Sequence, residues 1–328
     1  MRREPKFTDI VHYVEDRIRG GQFKIGDKLP SVNSLHIQFS LSRSSVFLAM
    51  NDLQERGIIE AQPAVGYFVK SDNISVREKI LLMFNEMSSF KEDLYKSLVE
   101  SLGDEASVDI VFHYFDRRVF ETLLKEANGN YTSYVLMPGK FDGLVPLLKT
   151  IRGKVFLLDH YHNDLLGLYP AVGQNFEADT YDALLSRHAQ VKKYNNLILI
   201  QSEPKEPSER YDGIKRFCDE FGMNSLLLPS IKDWPLHRGT LYITPSDREL
   251  ANIVRKAFQE KLEIGKDIGI ISYNDTPIKE VLAGGIATIS TDFKQMGRTM
   301  AELITSGGRT NPAPAIRNPW MLIPRNSL

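Results

Sequence analysis

The sequence is nearly without cysteine. Cys218 is the only one in 328 residues, so no disulfide can close within the chain and nothing points to an oxidising compartment. Its ordinary role is that of a small buried hydrophobe. Net charge is almost absent too: 41 Lys and Arg against 42 Asp and Glu leave −1, which removes any bulk signal for nucleic acid or membrane. Such a partner has to be found locally. No run approaches the roughly 18 apolar residues of a membrane span, and MRREPKFTDI has no apolar core of the signal-peptide kind, so a cytoplasmic chain without membrane contact is expected. There is no H-E-x-x-H, G-x-S-x-G, Walker A or G-x-G-x-x-G pattern, hence neither catalysis nor a cofactor is expected. In DHYHND, His160 and His162 would share a face if the strand continued, but no third ligand stands at metal spacing and no metal is expected.

What is present is a soluble globular composition, 42% hydrophobic and 25% charged, with chain enough for two or three domains. In FTDIVHYVEDRIRGG, Phe7, Ile10, Val11, Val14 and Ile18 recur at spacings of three and four, the mark of one helical face, and Gly20 and Gly21 supply the stop. A second helix starts at Pro30 and Ser31, with Ser31 as N-cap and Leu35 and Phe39 inward. Ser42 caps a third, with Val46, Met50 and Leu53 inward and Gly57 at its end. IIEAQ and GYFVK, joined by a turn around Pro63 to Gly66, read as a hairpin. Residues 1–70 are therefore expected to form a winged helix-turn-helix.

SDNISVRE is polar and aperiodic and makes 71–77 the connector. From 78 to 328 one theme repeats. REKILLMFNE precedes the helical FKEDLYKSLVESL, SVDIVFHY precedes RRVFETLLKEA, YTSYVLMPG precedes FDGLVPLLKTI, and KVFLLDH follows. A second series runs from FEADTYDALLSRHAQ through NNLILIQS, ERYDGIKRFCDEFG, NSLLLPS, GTLYITPS and RELANIVRKAFQEK to DIGIISYND. Strands alternating with helices imply parallel sheets flanked by helices, here an α/β domain of two doubly wound halves with a cleft between them.

Two stretches carry a family resemblance. GDKLPSVNSL, SRSSV, LQERGII and GYFV, in that order over residues 7–70, resemble the DNA-binding domain of GntR-family bacterial regulators. IGKDIGIISYNDTPIKEVLAGGIATISTDFKQMGRTMAELI is similar to the closing segment of the LacI-type ligand-binding domain, itself like periplasmic sugar-binding proteins, and VFLLD, ERYDG and DWPLHRGTLYITPSDRELA match further landmarks in order. Together they resemble the chimeric sugar-catabolism regulators typified by arabinose repressors and fucose regulators. The resemblance implies a winged helix-turn-helix on a two-lobed, periplasmic-binding-protein-like domain, with lobe 1 over about 78–172 and 290–315 and lobe 2 over about 173–289 and 316–328. It implies a homodimer that binds double-stranded operator DNA and represses sugar-catabolism genes until a monosaccharide effector, a pentose or deoxyhexose such as arabinose or fucose, releases it.

The resemblance places Arg43, Ser44 and Ser45 at the end of the recognition helix that meets base edges and phosphates, and Ser31 and Asn33 near phosphate. The wing departs from the pattern, since QPAVG puts Ala64 and Val65 where many relatives carry basic residues. Residues 1–70 hold ten Lys and Arg against eight Asp and Glu, a modest footprint that calls for a second copy. For the effector it implies Asp159 as acceptor, Arg210 as a forked donor, Asp247 and Asn274 at strand ends, and Trp234 and Phe293 as apolar faces for a sugar ring. Asn274 stands where relatives often have aspartate. Phe84, Asn85, Ser89 and Phe90 are further candidates from strand order alone. Plainer roles stand beside these: an Asp159–Arg210 ion pair, Asp247 as a helix cap, Trp234 in the core. Two other readings of the second half are a pure interaction module and a pyridoxal-phosphate domain, though the latter needs more than the 258 residues left and a Schiff-base lysine context that is not found.

Overall fold

The computed structural model describes residues 7–72, 74, 78–201, 206–306 and 312–328. Helix α1 (Phe7–Arg19) buries Ile10, Val11, Val14 and Ile18. Helix α2 (Val32–Phe39) starts from Ser31, whose Oγ accepts the Ser34 amide at 3.1 Å, and α3 (Arg43–Glu55) from Ser42, whose Oγ accepts the Ser45 amide at 3.1 Å. Each serine satisfies an amide that the helix itself leaves without an acceptor. Helix α3 adds Val46, Ala49, Met50 and Leu53 to the same core, and Gly57 takes the left-handed conformation that ends it, φ +72°. Strands β1 (Ile59–Gln62) and β2 (Gly66–Val69) pair antiparallel as the wing, with Gln62 opposite Gly66. The winged helix-turn-helix is thus present. Most of the expected connector 71–77 lies outside the described residues.

The body then runs β3 (Glu78–Phe84), α4 (Ser89–Leu102), β4 (Ala106–Phe112), α5 (Arg117–Ala127), β5 (Ser133–Leu136), α6 (Val145–Leu148), β6 (Lys154–His160) and β7 (Ala171–Gln174). It continues with α7 (Phe176–Ser186), α8 (His188–Val191), β8 (Asn196–Ile200), α9 (Glu209–Phe221), β9 (Asn224–Leu228), β10 (Thr240–Thr244), α10 (Asp247–Gln259) and β11 (Ile268–Tyr273). It closes with α11 (Pro277–Val281), β12 (Ala287–Thr291), α12 (Phe293–Thr305), β13 (Ala315–Arg317) and β14 (Trp320–Ile323). The segment FDGLVPLLKTI, expected as a full helix, shrinks to the single turn α6, which holds Pro146 near its start.

Two six-stranded sheets result. One has the order β13-β7-β6-β5-β3-β4 and is parallel throughout. The other has the order β14-β12-β11-β10-β8-β9, with only β14 antiparallel to its neighbour. Parallel strands need helices on both faces, which is why β3, β5 and β11 are almost continuously apolar. The chain crosses between the sheets after Gln174, Thr291 and Arg317, each about two residues beyond the cuts expected at 172, 289 and 315. Among the described residues no helix is long and apolar enough to cross a membrane.

In each lobe a glycine lets two helices approach closely. A Cβ at Gly297 of α12 would stand 2.5 Å from the Leu94 carbonyl oxygen of α4, and one at Gly213 of α9 would stand 2.3 Å from the Glu177 carbonyl oxygen of α7. Backbone cannot retreat as a flexible side chain can. Gly297→Val is therefore expected to destabilise the chain by about 2 kcal/mol; an unchanged urea midpoint would show that α4 and α12 separate without cost.

Candidate functional site

Both lobes turn the C-terminal ends of their parallel strands toward a shared, solvent-open cavity, the place where such sheets build ligand crevices. Asp159 enters it from the end of β6, Phe293 from the start of α12, Arg210 from the first turn of α9 and Asn274 from the end of β11. Asp159 and Asn274 are both left-handed, with φ of 76° and 58°. A non-glycine residue keeps that conformation only where its surroundings fix it, so the partners of these two residues matter.

Asn274 is fixed through its backbone. Its amide donates to the Ile289 carbonyl at 2.8 Å, while the Lys279 ammonium donates to the Tyr273 and Asn274 carbonyls at 2.7 and 2.8 Å. Lys279 is buried, and its third contact is the Asp247 carboxylate at 3.0 Å. Burial draws the Lys279 pKa below the ordinary lysine value although Asp247 pulls it the other way. Asp159 is fixed through its side chain, which accepts from Gln174 Nε2 at 2.5 Å; Gln174 Oε1 in turn accepts from the Thr291 hydroxyl across the lobe boundary.

Arg210 is buried, with its guanidinium carbon 4.6 Å from the Tyr273 ring centre and 4.9 Å from that of Phe176. One Nη pairs with Glu206, and Nε–H has no acceptor among the described residues. Stacking on two rings holds the fork in one plane while keeping its donors along an edge. Tyr273 is locked beneath it by a 2.7 Å contact between its hydroxyl and that of Thr180, and burial pushes its phenol up to about 12. The R-x-x-G spacing now has a physical reason: Arg210 faces the cleft, and Gly213, one turn on, lets α9 seat against α7. Asp159 and Arg210 have taken separate partners, Gln174 and Glu206.

Other expected residues are distributed differently. Asp247 stands at the cleft mouth with Lys279, and Ser246 rather than Asp247 caps α10, accepting the Glu249 amide at 3.3 Å. Trp234 is a correction. It lies beside Asn196, Asn224 and Thr240, the first residues of β8, β9 and β10, at the end of the lobe-2 sheet remote from the cleft. The loop that holds it leads into β10, whereas the crevice forms where strands end. Phe84 is core, Asn85 and Phe90 reach the cavity, Ser89 lies at its mouth, and Phe90 stacks on Phe293 at 4.7 Å.

Sequence reasoning missed Lys91, Gln174, Phe176 and the pair His160–Glu209. Lys91 is buried, with its ammonium on Asn85 Oδ1 and, at 3.0 Å, on the Glu86 carbonyl. The signal for it was available: Lys91 lies three residues before Leu94 and seven before Leu98, a charge on the buried stripe of α4. His160 of lobe 1 meets Glu209 of lobe 2 at 3.0 Å, a contact over 49 residues that no local pattern announces.

On the head, Arg43, Ser44, Ser31 and Asn33 are exposed around the starts of α2 and α3, with Ser45 half-buried. Ser31 and Ser42 spend their hydroxyls on caps, and the Ser42 hydroxyl also meets those of Ser44 and Ser45 at 2.7 and 2.9 Å. Arg43 is the only cation on α3.

Comparison with known proteins fits both parts. Residues 7–69 match the family described as bacterial regulatory proteins, gntR family, and residues 182–328 match the periplasmic binding protein-like domain. The head is 30% identical over 89 residues to the mannosyl-D-glycerate transport/metabolism system repressor MngR of Escherichia coli, covering 27% of this chain and 37% of that protein. Over 284 residues, 72% of this chain and 85% of the relative, it is 21% identical to the HTH-type transcriptional regulator GalR of Streptococcus thermophilus. The fold matches that of a periplasmic binding protein/LacI transcriptional regulator from Alkaliphilus metalliredigens complexed with D-xylulofuranose, at a TM-score of 0.63 and 14% identity over 76% of this chain and 98% of that one. Apart from GalR, the curated relatives named by the comparison are spanned for only 14 to 40% of their own length. These matches are to helix-turn-helix transcriptional regulators. This chain thus carries a head similar to the gntR family and a body similar to the periplasmic binding protein-like domain, with the fold seen in LacI-family structures.

Lys279→Met keeps the stem of the side chain but leaves two carbonyls and Asp247 without their cation. It is expected to cost about 2 kcal/mol of stability, the worth of charge-assisted bonds at a buried donor. An unchanged denaturation midpoint would mean that Asn274 keeps its left-handed conformation unaided.

Proposed function

We propose that this protein is a sequence-specific transcriptional regulator that represses sugar-catabolism genes and is released from operator DNA by a monosaccharide, a pentose or deoxyhexose, bound between the lobes. The observation that carries this reading is the convergence of Asp159, Arg210, Asn274 and Phe293 on one polar cavity in a chain whose head matches the gntR family. Acceptors, a forked donor and an aromatic face are what a ring with several hydroxyls and an apolar C–H face requires. The cavity also favours a neutral ligand: Arg210 is already paired with Glu206, and Lys91 and Lys140 share the lining with Glu86 and Asp159. Support from relatives lies in a mannosyl-D-glycerate repressor and in a fold neighbour solved with D-xylulofuranose.

The head carries one cation on α3 and a wing tipped by Ala64 and Val65, so a single copy has a slight grip on phosphate. Two copies joined through their bodies would place two heads on a palindrome whose half-sites lie about one or two helical turns apart. Ligand closing the cleft rotates one lobe against the other and changes the separation of the heads. The coupling equals the difference in ligand affinity between the two arrangements.

A thermal-unfolding screen against pentoses, deoxyhexoses and their phosphates is expected to give about 2.7 kcal/mol of stabilisation at a hundredfold excess over Kd for one neutral sugar. Arg210→Ala should abolish that gain and preserve binding to an operator selected from random duplexes, while Arg43→Ala should do the reverse. No stabilisation by any sugar would leave the body as an interaction module only.

A further inference from the structure

The outward face of α3 is unusual for a helix that meets DNA. Its inward stripe is complete with Val46, Ala49, Met50 and Leu53, all fully buried, yet Phe47 is 47% exposed and belongs to no core cluster. Phe47 stands four residues after Arg43, and i and i+4 share a helix face, so the exposed ring continues the column that Arg43 begins. Ser44 and Leu48 form the parallel column. No cation follows Arg43 on this helix, and Asp52 and Glu55 occupy its far end. A face of this composition does not suit phosphate beyond its first turn. It suits the one apolar group on the floor of the major groove, the C5-methyl of thymine.

We infer that Phe47 is a specificity residue that packs on a thymine methyl near the position contacted by Arg43. The inference rests on the DNA-binding reading above and adds to it the base class that the helix selects. Four residues of helix rise about 6 Å, and base pairs are spaced about 3.4 Å along a strand, so the thymine lies about two base pairs from the guanine or phosphate met by Arg43.

The test uses the full chain and duplexes selected from a random pool. Each thymine of the selected site is replaced singly by deoxyuridine, which removes only the methyl, and affinity is read by fluorescence anisotropy at fixed salt. The wild type is expected to lose about fourfold at one thymine in each half-site, the worth of one buried carbon. Phe47→Ala should bind thymine and deoxyuridine equally at that position, and Phe47→Leu should keep part of the preference. The deoxyuridine series on the wild type needs no variant to fold, and the unfolding midpoints check those that are made. A selected site with no fixed thymine, wild-type indifference to every deoxyuridine, or a thymine preference retained by Phe47→Ala would each overturn the role of Phe47 while leaving DNA binding intact. Selection of no common sequence would remove the DNA-binding reading and this inference together.

Discussion

Three passages of backbone join the two lobes, and whatever the cleft does must pass through them. They are laced rather than loose. Gln174, at the first crossing, holds Asp159 with its amide and the Thr291 hydroxyl, at the second crossing, with its carbonyl. Asn318, at the third, donates from its side chain to the Asp292 carbonyl at 2.9 Å and from its backbone to the Gly173 carbonyl at 2.8 Å. Arg317 reaches from β13 to Asp179 and Asp182 of α7. Rotation of one lobe on the other therefore redistributes a small set of hydrogen bonds instead of stretching a flexible tether, which is how hinge motions stay discrete.

The same lacing ties the hinge to the cavity. Asp159 is at once a cavity residue and the partner of the hinge glutamine, so a hydroxyl that draws on its carboxylate also bears on the Gln174–Thr291 link. On the other side, Asn274 is held by Lys279, and the adjoining Asp275 is held by Arg325 through two bonds of 2.7 and 2.8 Å. The Arg325 guanidinium keeps the Asp275 carboxyl below the usual carboxylate range. In Y-N-D the asparagine is thus left to the cleft and the aspartate to the frame.

What the sequence discloses is what local chemistry dictates. Serine caps at 31 and 42, the stripes of α1 and α3 and the alternation of strand and helix were all legible, because each depends on residues within a turn or two of one another. That Asp159, Arg210, Asn274 and Phe293 line one cavity was legible through family pattern plus the rule that crevices form at strand ends. Trp234, which the resemblance offered as an apolar face, stands instead at the start of the lobe-2 strands, an end that family pattern alone did not distinguish. Gln174–Thr291, spanning 117 residues, and His160–Glu209 across the cleft have no local signature, since the fold alone brings them together.

The thinness of the head's charge bears directly on the proposed response to a ligand. A head that gripped phosphate with many cations would stay on DNA under small changes of geometry, since each neutralised phosphate adds binding regardless of sequence. In the proposed function, with Arg43 as the only cation of α3 and a wing without basic residues at its tip, binding would lean on shape, on base edges and on two heads acting together. Two linked weak contacts lose most of their joint advantage once their spacing no longer matches the site. In that proposed function, a ligand whose preference between lobe arrangements is only a few kcal/mol would be enough to shift the protein off its site, which lies within what one sugar-sized occupant of a cleft supplies.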